Sequence, residues 1–220
     1  EVTGTKTVIY DVTVPAGTTT GDYPVTGTVI ATVGGSTIGP FDLTGANQVT
    51  VTECACDFCL DLEAGLNFVS IPKTLDDPKN ATTLFGVDYY SGECCLYYDA
   101  SVGSFDLDAD VKPCRGFLVY KTTEKRVCVD FDDTASPPSQ QLYEGWNTIG
   151  YPRTVALSIP DFASVTGLKD DDGNKLFRLM ATYTGTGWID YPVGSLTEAT
   201  PGAGYWIYMN QNVEMSGGFE

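Results

Sequence analysis

The strongest constraint on this chain's fold is that it repeats itself. Leu62-Glu63-Ala64-Gly65-Leu66-Asn67-Phe68-Val69-Ser70-Ile71-Pro72-Lys73-Thr74 recurs 80 residues on as Leu142-Tyr143-Glu144-Gly145-Trp146-Asn147-Thr148-Ile149-Gly150-Tyr151-Pro152-Arg153-Thr154. Leu, Gly, Asn, Pro and Thr stay in register without a gap. Three further blocks follow in the same order. A short helix candidate, Ala81 to Gly86, answers Phe162 to Gly167. Gly103-Ser104-Phe105-Asp106 answers Gly187-Trp188-Ile189-Asp190, and Lys112-Pro113-Cys114-Arg115-Gly116-Phe117-Leu118-Val119-Tyr120 answers Thr200-Pro201-Gly202-Ala203-Gly204-Tyr205-Trp206-Ile207-Tyr208. Four blocks in one order mean a duplication.

Each block has a physical meaning. Gly-Trp-Asn opens a strand whose Asn can bond the local backbone, and the following Pro closes it by removing a ladder donor. Pro-x-x-Gly-Tyr-Trp is a turn into a strand with aromatics on alternating faces. Thr134-Ala135-Ser136-Pro137-Pro138-Ser139 reads as the linker between copies. Upstream, residues 1–53 are rich in β-branched residues and broken by turn signals. Thr5 to Val14, Tyr23 to Val33, Ile38 to Leu43 and Val49 to Glu53 predict a meander of about four strands, with a hairpin at Gly34-Gly35. Such a sheet must pack on something, and its edges are open to strand addition. The expected organisation is all-β: an N-terminal sheet over 1–53, a cysteine-rich repeat over 54–135 and a second repeat over 136–220, each repeat with a short helix.

Seven cysteines lie between Cys54 and Cys128, and the chain contains no histidine. Zinc sites that use histidine are thereby excluded. Cys54, Cys56 and Cys59 have a spacing that could chelate a metal, but the vicinal pair Cys94-Cys95 fits no common zinc spacing. Disulfides are the expected use of Cys54, Cys56, Cys59, Cys94, Cys95, Cys114 and Cys128. An odd number leaves at least one thiol free or paired with another chain. The Cys54–Cys59 cluster is the expected site of a link between chains. Cys114 and Cys128 flank a predicted hairpin near Thr122–Lys125, in a register that does not make them face each other.

A net charge of −17 disfavours nucleic acid and anionic membranes, both of which require a basic surface. It also means that self-assembly needs neutral contact surfaces, bound cations or covalent links. The absence of histidine removes Ser-His-Asp, Cys-His and histidine-metal chemistry together. Asp106, Asp108 and Asp110 alternate, which on a strand places all three on one face. A solvated face is expected there, with calcium and glycoside hydrolysis as weaker alternatives. Lys169-Asp170-Asp171-Asp172-Gly173-Asn174-Lys175 has partial calcium-loop character through Asp170 and Asp172, but lacks the full spacing and is better explained as a turn. No cofactor is expected. Asn80-Ala81-Thr82 is a glycosylation sequon. Trp146 and Trp206 recur at matched positions and are expected in the repeat cores, although a flat row of exposed Tyr and Trp would instead bind sugar rings or another subunit. Of Tyr97 and Tyr98, one must face outward.

Gly-Trp-Asn with its following Pro, and the Pro-Gly-x-Gly-Tyr-Trp block, resemble a tandem module of secreted archaeal and bacterial surface proteins over residues 60–220. The second copy matches better: the first has Leu66 for Trp146 and Phe117 for Tyr205. Val12-Thr13-Val14-Pro15 through Gly21-Asp22-Tyr23 resembles the end of an immunoglobulin-like surface domain. Acidic, cysteine-bearing, tyrosine-rich chains of this kind are similar to methanogen S-layer or sheath subunits. The resemblance implies a non-enzymatic, extracellular structural protein that polymerises with itself. The opening at Glu1 is consistent with a mature chain whose signal peptide has been removed. No apolar run approaches membrane-spanning length. A carbohydrate-binding or adhesion module of a larger surface protein is the alternative.

Overall fold

The computed structural model describes residues 56–217 in full, and the backbone of four strands before them. It divides the chain into Glu1–Ala55 and Cys56–Glu220. In the first unit, β1 (Gly21–Pro24) pairs antiparallel with β4 (Gln48–Val51), and β2 (Thr28–Val33) with β3 (Ser36–Asp42). Val33 faces Ser36, the register expected of a hairpin, and the predicted Gly34-Gly35 turn itself lies outside the described residues. The pairing is nested and not a meander: β1 skips β2 and takes β4. The predicted first run, Thr5 to Val14, and the immunoglobulin-like motif up to Pro15 lie outside the described residues.

The second unit is two copies of one topology. In the first copy, β5 (Phe58–Leu62), β6 (Gly65–Ser70), α1 (Ala81–Phe85), β7 (Cys94–Asp99), β8 (Ser104–Asp106), β9 (Gly116–Lys121) and β10 (Lys125–Val129) follow in order. In the second, β11 (Ser139–Leu142), β12 (Gly145–Gly150), β13 (Leu157–Ser158), α2 (Ile159–Val165), β14 (Phe177–Tyr183), β15 (Trp188–Tyr191), β16 (Glu198–Ala199), β17 (Gly204–Met209) and β18 (Val213–Ser216) do so. The four-stranded sheets run β6-β9-β7-β8 and β12-β17-β14-β15, and the outermost strands of each copy form separate ribbons, β5-β10 and β11-β18. The fold is all-β and antiparallel, with two short helices. Register corrects one correspondence. Phe105 pairs with Tyr98 as Trp188 pairs with Tyr183, so Phe105, not Ser104, is the counterpart of Trp188.

Each copy has its own core, sandwiched between its sheet and its ribbon. Phe117, Val119, Cys95, Tyr97, Phe85 and Leu62 fill the first; Tyr205, Ile207, Met180, Phe162 and Leu142 fill the second. The asparagine of Gly-x-Asn acts as predicted. Asn147 Oδ1 accepts from Tyr143 N–H at 2.9 Å while Nδ2 donates to the Tyr143 and Gly145 carbonyls, and Asn67 repeats this with Glu63 and Gly65. The side chain thus stands in for backbone partners that the bend from ribbon to sheet removes. The predicted hairpin between β9 and β10 does not form. The chain turns at 122–124 but changes layers, with β9 pairing β6 and β7, and β10 pairing β5. Cys128 consequently faces Cys59, and the two form a disulfide.

The copies meet through a pseudo-two-fold seam. Ser70 N–H donates to Gly202 O at 2.8 Å, and Gly150 N–H donates to Cys114 O at 2.7 Å. Ser70 and Gly150 are counterparts, as are Cys114 and Gly202, so the two bonds are one bond repeated. A Cβ on Gly150 would stand 2.6 Å from Arg115 O, and one on Gly204 would stand 2.8 Å from Val69 O. Only hydrogen in place of a side chain permits this approach. Gly202 has φ +81° and Cys114 has φ +69°, so cysteine occupies a left-handed turn that its counterpart fills with glycine. Such a conformation costs a residue with a Cβ about 1–2 kcal/mol. The Cys114 side chain offsets it by burial in the core of the second copy.

Two differences between the copies are informative. Lys121, the counterpart of Met209, is buried and pairs with buried Glu93; its Nζ also donates to Gly86 O. Glu93 further accepts from the N–H and hydroxyl of Thr122 and from Asp88 N–H. The Lys121 bond, then the backbone donors, lower the Glu93 pKa from its ordinary 4.5 to about 2, against the opposing effect of burial. The stabilisation from this ionised carboxylate is therefore present above about pH 4.5 and is lost as pH falls towards 2. We expect Glu93→Gln to flatten the pH dependence of the unfolding midpoint across that window and to cost roughly 3–5 kcal/mol at neutral pH, read by urea titration, because Lys121 stays buried without its counter-charge. The second difference is sulfur. Ser139 faces Ser216 where the first copy has Cys59 facing Cys128. Under air oxidation S139C/S216C is expected to form a bridge, seen as a mass loss of two hydrogen atoms, and to add about 2–4 kcal/mol in the oxidised form.

Candidate functional site

The alternation of β17 determines what each side of the second sheet presents. Tyr205, Ile207 and Met209 point into the core, which leaves Trp206 and Tyr208 on the opposite face. On β12 the same logic buries Asn147 and Ile149 and turns Trp146 outward; on β15 it turns Trp188 and Asp190 outward. Trp146 and Trp206, expected in the core, therefore stand outside it together with Trp188: Trp146 is 42% exposed, Trp188 51% exposed and Trp206 half-buried. Tyr97 is buried and Tyr98 is not, as the alternation of a strand predicts.

This outer face is partly covered by the first copy. Phe68 of β6 packs 6.2 Å from Trp206 and 6.0 Å from Trp188, and Thr148 donates its hydroxyl to Tyr98 O at 3.1 Å. Beside that contact lies an open trough of about 480 Å3, lined by Tyr98, Phe105, Trp146, Trp188, Trp206, Asp190 and the small apolar surface of Leu179 and Ala181. Trp146 and Phe105 stand nearly perpendicular to Trp206, at 85° and 87° and centroid distances of 6.0 and 6.3 Å. Tyr98 closes the corner at 5.4 Å from Trp206. Edge-to-face packing of this kind is favourable and leaves ring faces available. Asp190 supplies the only charge in the lining. Its Oδ1 accepts from Gly194 N–H at 2.7 Å, which fixes the carboxylate. Among the described residues no His/Cys/Asp/Glu grouping would hold a metal.

The cysteines depart from expectation in placement. Cys59 bridges to Cys128 within the chain, and Cys56 is disulfide-bonded too, so these two members of the cluster expected to join chains are already committed; Cys54 lies outside the described residues. Among the described residues the free thiols are Cys94, Cys95 and Cys114. Burial pushes Cys95 and Cys114 up to about 12, in Cys95 with help from the neighbouring Cys94 and Asp108. Both are inert as nucleophiles. Cys94 is half-exposed on the outer face of the first sheet, opposite Tyr120. Layer-changing strands carry no signature in residue spacing, which is why Cys59–Cys128 could not be read from it.

The remaining candidates act as local structure. Asn80 caps α1, its Oδ1 accepting from Thr83 N–H at 2.9 Å. Both oxygens of Asp170 are taken by Asn174, at 2.7 and 3.1 Å, closing a turn between paired Lys169 and Lys175; these bonds lower the Asp170 pKa. Asp172 is exposed. Asp106, Asp108 and Asp110 do not share a strand face, because β8 stops at Asp106, whose carboxylate takes Asp108 N–H. No helix is long and apolar enough to cross a membrane among the described residues. No protein family, curated protein or solved structure matches this chain.

Alkylation of the native protein, followed by peptide mass analysis, should modify Cys94 well ahead of Cys95 and Cys114, which require denaturant. Equal labelling of all three would contradict the burial described.

Proposed function

We propose that the chain is a non-enzymatic structural subunit of an extracellular layer or sheath that assembles with copies of itself. The observation that carries this reading is an oxidised β-body whose staple is closed internally while one thiol, Cys94, stays accessible. Disulfides persist in oxidising, extracytoplasmic surroundings. The reading is further supported by the resemblance of the tandem motif to surface proteins, by the acidic charge that keeps an outer surface hydrated, and by β8 and β15, which pair on one side only and leave a ladder edge.

The covalent contact between copies is assigned to Cys94, in place of the Cys54–Cys59 cluster. Cys94, the one half-exposed free thiol among the described residues, joins two chains and no more, so higher assembly rests on strand edges and neutral surfaces. A second reading, a carbohydrate-binding or adhesion module of a larger surface protein, draws support from the half-exposed tryptophans.

In air-oxidised material, non-reducing electrophoresis should give a dimer band that reductant and Cys94→Ser both abolish. Negative-stain images of the wild type should show sheets, hoops or tubes. A wild-type chain that stays monomeric and dispersed under oxidising conditions rules the proposal out.

A further inference from the structure

The duplication provides an internal control on the trough. The positions of Trp146, Trp206 and Trp188 are filled in the first copy by Leu66, Leu118 and Phe105. The first sheet forms with the same strand order and register without a single tryptophan. The sheet itself therefore does not require a tryptophan at the place of Trp146, whereas Trp206 also packs on Phe68 and Tyr98 of the first copy. Trp146 and Trp188 stand 42% and 51% exposed, forgoing the burial that a core position would give such large apolar rings. Concentration of all three tryptophans of the chain around one trough calls for an occupant.

The lining restricts what that occupant is. It holds one carboxylate, Asp190, and no cation, in a chain of charge −17, so anionic polymers and phosphates are repelled. A purely apolar ligand would strip water from Asp190 with only the Gly194 N–H to compensate. A small organic cation would satisfy Asp190 and one ring face but leave most of about 480 Å3 unused. A neutral glycan meets every term. The C–H face of a pyranose, slightly positive, stacks on the electron-rich face of an aromatic ring, and its hydroxyls donate to the free oxygen of Asp190. The trough is open to solvent along its length, which suits a chain of roughly two or three sugar rings.

We propose that this trough is a binding site for a neutral polysaccharide, with Trp146, Trp188 and Trp206 as stacking platforms and Asp190 as the hydrogen-bond acceptor. The site does not depend on assembly, so it is tested on Cys94→Ser protein. Neutral hexaoses (β-1,4-glucose, β-1,4-N-acetylglucosamine and mannose), polygalacturonate and tetramethylammonium chloride are titrated, read by tryptophan fluorescence and calorimetry. Saturable binding of at least one neutral hexaose is expected, weakened about tenfold or more by Trp188→Ala and by Trp146→Leu, the latter with an unchanged melting temperature. Trp146→Leu installs the residue that the first copy already carries at this position. The proposal is overturned by no response to any neutral hexaose, by binding of polygalacturonate or tetramethylammonium alone, or by binding that both tryptophan variants retain. Loss of self-association in Trp188→Ala without any glycan binding would also overturn it, assigning the trough to a second copy.

Discussion

The two β-repeats are held at backbone distance by residues that have no side chain. Gly150 lies against the Arg115 carbonyl, and Gly204 against Val69. At that separation one repeat's amide can reach the other repeat's carbonyl, and the paired bonds from Ser70 to Gly202 and from Gly150 to Cys114 follow. The rest of the second unit depends on this seam. It brings the two sheets' outer faces together, lets the Cys114 turn enter the neighbouring core, and sets Tyr98 and Phe105 of one copy against Trp206 of the other. The trough is a product of the seam, since its lining is drawn from both repeats.

Much of this was legible in the residues, and the failures share a cause. The duplication, the role of Asn67 and Asn147, the glycine turns and the all-β class were readable because each depends on local backbone chemistry or on register at a fixed offset. The orientation of the tryptophans was not. Gly204-Tyr205-Trp206-Ile207-Tyr208-Met209 is apolar on both faces, since one faces a core and the other meets a second sheet. Periodicity marks which residues share a side, and it is silent on which side is inner when both are apolar. The disulfide was hidden for a related reason. Short loops such as 122–124 are expected to join neighbours in one sheet, but here they carry the chain between layers.

The copies also show how one framework tolerates different chemistry. Where the second repeat buries Met209, the first buries Lys121 and surrounds it with Glu93 and the Gly86 carbonyl. A buried ion pair rarely exceeds a hydrophobic side chain in stability. Its effect here is to make the core of the first repeat sensitive to acid through a buried pair that the second lacks. The outer faces diverge in the opposite sense, with Leu66 and Leu118 on the first copy where the second carries Trp146 and Trp206.

The bridge between Cys59 and Cys128 ties the first strand of its repeat to the last, across 69 residues, whereas Ser139 and Ser216 leave the corresponding ribbon of the second repeat held by hydrogen bonds alone. Under tension applied along the polypeptide, the load would pass through sulfur in the first repeat and bypass its sheet, which stays wound. The second repeat would unzip first and lengthen as it did so. If the units assemble as proposed, each chain would pair an inextensible link with a sacrificial one.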